Sequence, residues 1–198
     1  MQPLPDKKVT FDEYRSWTDD KRWEIIDGVP YAMSAATVGH QELCGNFYDA
    51  LRQHFAGGPC KVYFAPLDVR LSDCDVVQPD LLVVCDRSQL KGTHVDGPPA
   101  LVIEVLSRSS VRHDRIRKFR LYAAAGVKEY WILHPSPPMA EVHLLDDKGY
   151  RTHGVYGERE TLQSATFPEL RLDLEPLFPL VDSDEVKESP PLYATTSS

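Results

Sequence analysis

The sequence predicts an α/β (α+β) fold, a central mixed β-sheet flanked by helices, and three observations support that prediction. Residues 79–85 and 100–106 are short, almost wholly apolar runs, which is how strands buried on both faces of a sheet read. Residues 38–55 and 110–125 instead carry apolar side chains at helical spacing, the pattern of helices laid against such a sheet. With 42% hydrophobic and 26% charged residues in a chain of 198, there is enough apolar content for one sizeable core. One domain is expected over residues 9–181, and residues 182–198 have the composition of a disordered acidic tail.

Thr10 opens a short helix over residues 10–17, with Glu13 three residues on in the capping-box position. Residues 23–26 and 29–33 form two strands around Asp27-Gly28, a hairpin signal, and Glu24 lies on the first of them. In the helix over 38–55, Leu43, Phe47, Leu51 and Phe55 recur every four residues, and Gly57-Gly58-Pro59 ends it. His40 and Cys44 stand one turn apart there, a spacing that suits a metal but that on a lone helix points to packing or a surface role. Strands follow at 61–65, 68–71, 79–85 and 100–106, and the stretch between the last two, with Gly92, Gly97 and Pro98-Pro99, reads as a loop. The helix over 110–125 begins near Ser109 or Ser110 and stops before Gly126. Residues 129–133 and 141–145 are further strands separated by Pro135-Ser136-Pro137-Pro138, and strand and irregular chain to about residue 180 close the domain.

Several function classes are disfavoured. No run approaches the ~20 apolar residues that span a bilayer, and the start lacks the apolar segment of a signal peptide, so no membrane partner and a cytoplasmic location are expected. Cys44, Cys60, Cys74 and Cys85 are widely spaced with no C-x-x-C pair, which predicts reduced, mostly buried thiols rather than a zinc ribbon or a disulfide framework. A P-loop, a G-x-G-x-x-G fingerprint and a G-x-S-x-G elbow are absent, which argues against a nucleotide cofactor or a serine nucleophile. The formal net charge of −8 opposes non-specific attachment to nucleic acid. Arg108, Arg112, Arg115, Arg117, Lys118 and Arg120 nevertheless cluster, so a local basic surface survives the acidic total.

The chemistry concentrates where carboxylates interrupt apolar strands, because an unpaired buried charge is costly. On 100–106 the pleat places Glu104 with Val102 and Leu106 on one face, and Leu101, Ile103 and Val105 on the other. Asp80 shares a face of the neighbouring strand with Leu82 and Val84. Two such acids repel one another unless a cation lies between them, and a hard divalent ion held by oxygens resolves the conflict. The alternative is that Asp80 caps its strand and Glu104 pairs with an arginine. On the following helix, Asp114 and Lys118 share a stripe with Val111, Leu121 and Ala125, so Lys118 lies among apolar neighbours; the alternative there is an ordinary surface i,i+4 pair.

Taken together, Glu24-Ile25-Ile26-Asp27-Gly28, Gln78-Pro79-Asp80-Leu81, Ile103-Glu104-Val105-Leu106-Ser107, Asp114 with Lys118 and Tyr122, and Gly126-Val127-Lys128-Glu129-Tyr130-Trp131 carry a resemblance. From about residue 11 to residue 178 the chain is similar to the Uma-type family of restriction endonuclease-like proteins, within the PD-(D/E)XK nuclease superfamily. Pro79-Asp80 stands as its PD, and Glu104-Val105-Leu106 stands where its (D/E)XK would. The resemblance implies a restriction-endonuclease-like fold and a Mg²⁺-dependent endonuclease acting on phosphodiester bonds of DNA, with Mn²⁺ able to substitute. It implies Asp80 and Glu104 as metal ligands, with Glu24 as an additional acid, although a solvated hairpin charge is the other reading of Glu24.

Leu106 departs from the superfamily pattern, since it cannot orient a water. The resemblance then implies that the lysine has moved to the next helix as Lys118, whose ammonium is expected beside Asp80 and Glu104. Arg117 and Arg120 are the expected phosphate contacts, and a homodimer is expected because duplex cutting often needs two sites. The competing expectation is a catalytically inactive domain of the same fold that binds nucleic acid or a protein partner, which Leu106 and the acidic total favour.

Overall fold

Two strands that are apolar along their length and buried on both faces set the order of layers. The computed structural model describes residues 8–106 and 113–179, with the backbone alone over 113–115. The chain runs through α1 (Phe11–Tyr14), β1 (Trp23–Ile26), β2 (Val29–Ala32), α2 (Val38–His54), β3 (Lys61–Phe64), β4 (Asp68–Ser72), β5 (Asp75–Val77) and β6 (Leu81–Val84). It continues through β7 (His94–Asp96), β8 (Leu101–Val105), α3 (His113–Ala125), β9 (Glu129–Pro135), β10 (Pro138–Asp146), β11 (Gly149–Gly157), β12 (Thr161–Gln163) and β13 (Arg171–Asp173).

The main sheet has six strands in the order β11-β10-β9-β8-β6-β3, mixed because β8 and β9 run parallel while its other neighbours are antiparallel. The parallel pair follows from the connection, since α3 returns the chain to the starting end of the sheet. One face carries Leu81, Val83, Leu101, Ile103, Val105 and Trp131 and packs on Leu43, Phe47 and Leu51 of α2. Each of those three α2 side chains is fully buried, which contributes roughly 1.5–3 kcal/mol apiece. The opposite face, with Leu82, Val84, Val102, Tyr130 and Ile132, packs on Tyr122 of α3 and on a second sheet.

That second sheet lies beside the expected central mixed sheet. Its order is β2-β1-β5-β4-β7, and it supplies Ile26, Val69, Val77 and Val95 to the core between the sheets. β5 and β7 are three residues each, too short to show a period, and β7 lies within the stretch expected to be a loop. Two expected caps hold, since Thr10 Oγ1 accepts from the Glu13 N–H at 3.3 Å and Gly126, at φ 87°, ends α3, while the expected helix start at Ser109 or Ser110 lies outside the described residues. The hairpin turn puts Asp27 and Gly28 at φ 52° and 76°, the left-handed pair its sequence calls for.

The cysteine expectation fails for one pair. Cys60 and Cys85 form a disulfide, while Cys44 and Cys74 are free thiols. The ladder explains the pairing, because Lys61 faces Val84 across β3 and β6, so the next residues outward face each other. Ser107, Arg108, Arg112 and the tail 182–198 lie outside the described residues, as do the side chains of Asp114 and Arg115.

Candidate active site

Three acids and one lysine converge where β1, β6, β8 and α3 meet. Glu104, on β8, is only 8% exposed, and its Oε1 accepts from the Tyr122 hydroxyl at 2.7 Å and from Lys118 Nζ at 2.9 Å. Both donors come from α3, one turn apart, so helix docking places them together. The same ammonium stands 2.8 Å from Glu24 Oε1, which also accepts from the Gln78 backbone N–H at 2.9 Å. Glu24 is buried at 6% exposure, so the reading of a solvated hairpin charge is set aside.

Asp80 immediately precedes β6 rather than lying in it. The β6 and β8 ladder pairs Leu81 with Ile103, and one step further brings Asp80 opposite Glu104. Asp80 Oδ2 accepts from the Val105 N–H at 2.8 Å and lies 3.3 Å from His40 Nε2. The lysine therefore bridges Glu104 and Glu24 rather than Glu104 and Asp80, because β1 packs close enough to offer its acid first. Leu106 is an apolar core residue, with its N–H bonded to the Leu133 carbonyl at 2.9 Å.

The electrostatics follow from burial and crowding. Burial lifts the Glu104 carboxyl most; Lys118 pulls it down, Asp80 and Glu24 lift it further, and it is pushed up to about 7. Burial alone would lower the Lys118 pKa, but Glu104 and Glu24 outweigh it and hold the ammonium charged well above its usual range. The hydrogen bond to Asp80 raises the His40 pKa. With all four groups ionised, Glu24, Asp80 and Glu104 against Lys118 leave two negative charges uncompensated.

Among the described residues, Oε2 of Glu24, Oδ1 of Asp80 and Oε2 of Glu104 accept no hydrogen bond. Glu24 and Glu104 keep little solvent contact, with side chains 7% and 10% exposed, and Asp80 keeps more, at 16%. Open carboxylate oxygens beside excess negative charge suit a hard divalent cation in kind, although the three acids do not bring one oxygen each within 4.8 Å of one another.

The basic helix is less uniform than its sequence. Arg120 is exposed, whereas the Arg117 guanidinium stacks 4.3 Å over the Tyr31 ring. From sequence, Tyr122 enters only through the family resemblance, and His40 and Cys44 read as packing or surface residues. Their i,i+4 spacing was the available signal, and the partner that gives it meaning, Asp80, comes from another element.

The chain is 34% identical over 151 residues to an uncharacterized protein of Synechocystis sp., covering 74% of this chain and 78% of that one. Its fold matches a crystal structure described as "a putative nuclease belonging to DUF820" from Anabaena variabilis, with a TM-score of 0.72 and 17% identity over 86% of this chain and 97% of that one. Among the described residues no helix is long and apolar enough to cross a membrane. The model of the Uma2 family, described as "Putative restriction endonuclease", matches residues 11–175, and the chain belongs to that family.

Proposed function

We propose that this chain is a Mg²⁺-dependent endonuclease that hydrolyses phosphodiester bonds of DNA and acts as a homodimer. The observation that carries the reading is the gathering of Glu24, Asp80 and Glu104 around one buried lysine, which leaves the charge deficit that a divalent cation cancels. The open oxygens of these three acids would hold it once the side chains close on the ion, since they do not all lie within 4.8 Å of one another, and an all-oxygen set favours Mg²⁺, with Mn²⁺ as a substitute. Such an ion supplies polarisation of a phosphoryl oxygen and a more acidic water.

The protein's own residues do the rest. Tyr122 and Lys118 bind Glu104 Oε1 together and so fix that side chain with its second oxygen free. Lys118, charged and within reach of the same pocket, stabilises negative charge developing on the phosphorane. Arg120, with Arg117 behind it, meets flanking phosphates without reading sequence. The test is nicking of supercoiled plasmid by the purified chain with Mg²⁺ or Mn²⁺, lost on chelation.

One observation favours a second reading, a catalytically inactive domain that binds nucleic acid or a protein partner. Lys118 is already satisfied by two acids, as it would be in a purely structural ion-pair network. Calorimetric titration separates the two, because a binding domain has no need of Mg²⁺ or Mn²⁺.

A further inference from the structure

Beside the oxygen donors, the start of α2 brings nitrogen and sulfur to the same acid. Thr37 caps the helix by accepting from the His40 N–H at 3.2 Å, which fixes where the first turn begins. Cys44 Sγ then lies 3.6 Å from His40 Nδ1, and His40 Nε2 lies 3.3 Å from Asp80 Oδ2. One donor atom can be taken from each residue so that all three fall within 4.8 Å of one another, and this is the one such group among the described residues. The two contacts to His40 reach different ring nitrogens, so with one nitrogen given to the ion the donors stand wider than the about 3.3–3.6 Å edge of a tetrahedral site, and the side chains rotate inward to close it. The ring gives the ion one nitrogen and keeps the other for a hydrogen bond, the usual arrangement of a metal-bound histidine.

From this geometry we propose that His40, Cys44 and Asp80 form a binding site for a borderline divalent cation of the Zn²⁺ or Co²⁺ type, adjoining the oxygen-only acids and sharing Asp80 with them. Thiolate and imidazole favour such ions over Mg²⁺, whose preference is for oxygen. Three protein ligands leave a fourth position for water or a substrate oxygen, the open arrangement of catalytic rather than structural sites. The His40 and Asp80 side chains, 17% and 16% exposed, leave that position an approach from solvent. Burial raises the Cys44 thiol most and Asp80 and Glu104 raise it further, so the sulfur becomes a thiolate only as an ion displaces its proton; the same two acids add the negative potential that draws a cation to the spot. The site does not depend on hydrolysis by the neighbouring acids.

Co²⁺ titration of the purified full-length chain tests it. A thiolate-to-cobalt charge-transfer band should rise to one equivalent, disappear in Cys44→Ser, weaken at least tenfold in affinity in His40→Asn, and persist in Cys74→Ser. Should Cys44→Ser or His40→Asn fold poorly by circular dichroism, the wild-type chain decides alone: one equivalent of Zn²⁺ should protect Cys44, mapped by peptide, from alkylation. No thiolate band in wild type, a band that survives Cys44→Ser, or Cys44 alkylated equally with and without Zn²⁺ would each overturn the proposal. A Co²⁺ band in a protein that cleaves no DNA sinks the endonuclease reading and leaves this one standing; Mg²⁺-dependent cleavage without the band does the reverse.

Discussion

Glu104 and Glu129 are both glutamates inside the main sheet, on adjacent parallel strands, and they are satisfied in opposite ways. Glu129 is wholly buried, and four uncharged donors share its two oxygens: Trp131 Nε1 at 2.7 Å, Ser164 Oγ at 2.9 Å, and the N–H groups of Ala165 at 3.2 Å and Thr166 at 2.6 Å. It pins the chain after β12 to the sheet and has no capacity left over. Glu104 crowds its donors onto one oxygen, sits among like charges and keeps the other oxygen open. A buried carboxylate thus reveals its job by what it leaves unpaired: full satisfaction marks structure, and partial satisfaction beside other acids marks a place for a cation.

The sharpest break of that contrast is catalytic. Glu104→Ala should lower Mg²⁺-dependent DNA cleavage by about 1000-fold or more, equivalent to about 4 kcal/mol of barrier, with little loss of stability. Equal cleavage by wild type and variant would remove Glu104 from the site. Glu129→Ala should do the converse, because it strands four buried donors; a loss of about 3–4 kcal/mol in urea unfolding is expected. A loss below about 1 kcal/mol would contradict its structural role.

Acid titration tests Glu104 by another route. The folded protein binds the Glu104 proton more tightly than the unfolded chain, with a pKa near 7 against the usual 4.5. This contribution to stability is therefore complete below the lower value and is lost as pH rises through the window, by about 3 kcal/mol at most. Glu104→Gln should flatten that slope in unfolding curves measured across it, and an unchanged slope would assign it to another group. The smallest effect belongs to the helix surface. Arg117→Ala with Arg120→Ala should weaken DNA binding about tenfold and reduce the salt slope by about 2, and identical binding across a salt series would take α3 off the substrate surface.

What the sequence makes legible here is whatever has a local cause. Glu104 announces itself as a charge in an apolar run, and the hairpin at Asp27-Gly28 follows from backbone preferences of two adjacent residues. Lys118 is recognisable as a cation on an apolar stripe. Its partner is not, since the choice of Glu24 over Asp80 depends on how closely β1 approaches α3 across the second sheet. The Cys60–Cys85 bond is hidden for the same reason, being set by the register of β3 on β6 rather than by spacing along the chain. Glu129 looks like any strand-edge acid until the loop that caps it, 35–37 residues later, folds back.

The placement of lysine and acid on separate elements has a dynamic consequence. Where an acid and its lysine sit two residues apart on one strand, the pleat holds them together for as long as the sheet survives. Here Lys118 and Glu104 are 14 residues apart, and only the seating of α3 on β8 and β9 keeps them in contact. Any excursion that lifts the helix while leaving the sheet intact takes away both Tyr122 and Lys118 and returns Glu104 to water with an ordinary affinity for protons. The free energy of that partial opening, readable from amide exchange along α3, therefore sets the fraction of molecules in which the constellation exists at all.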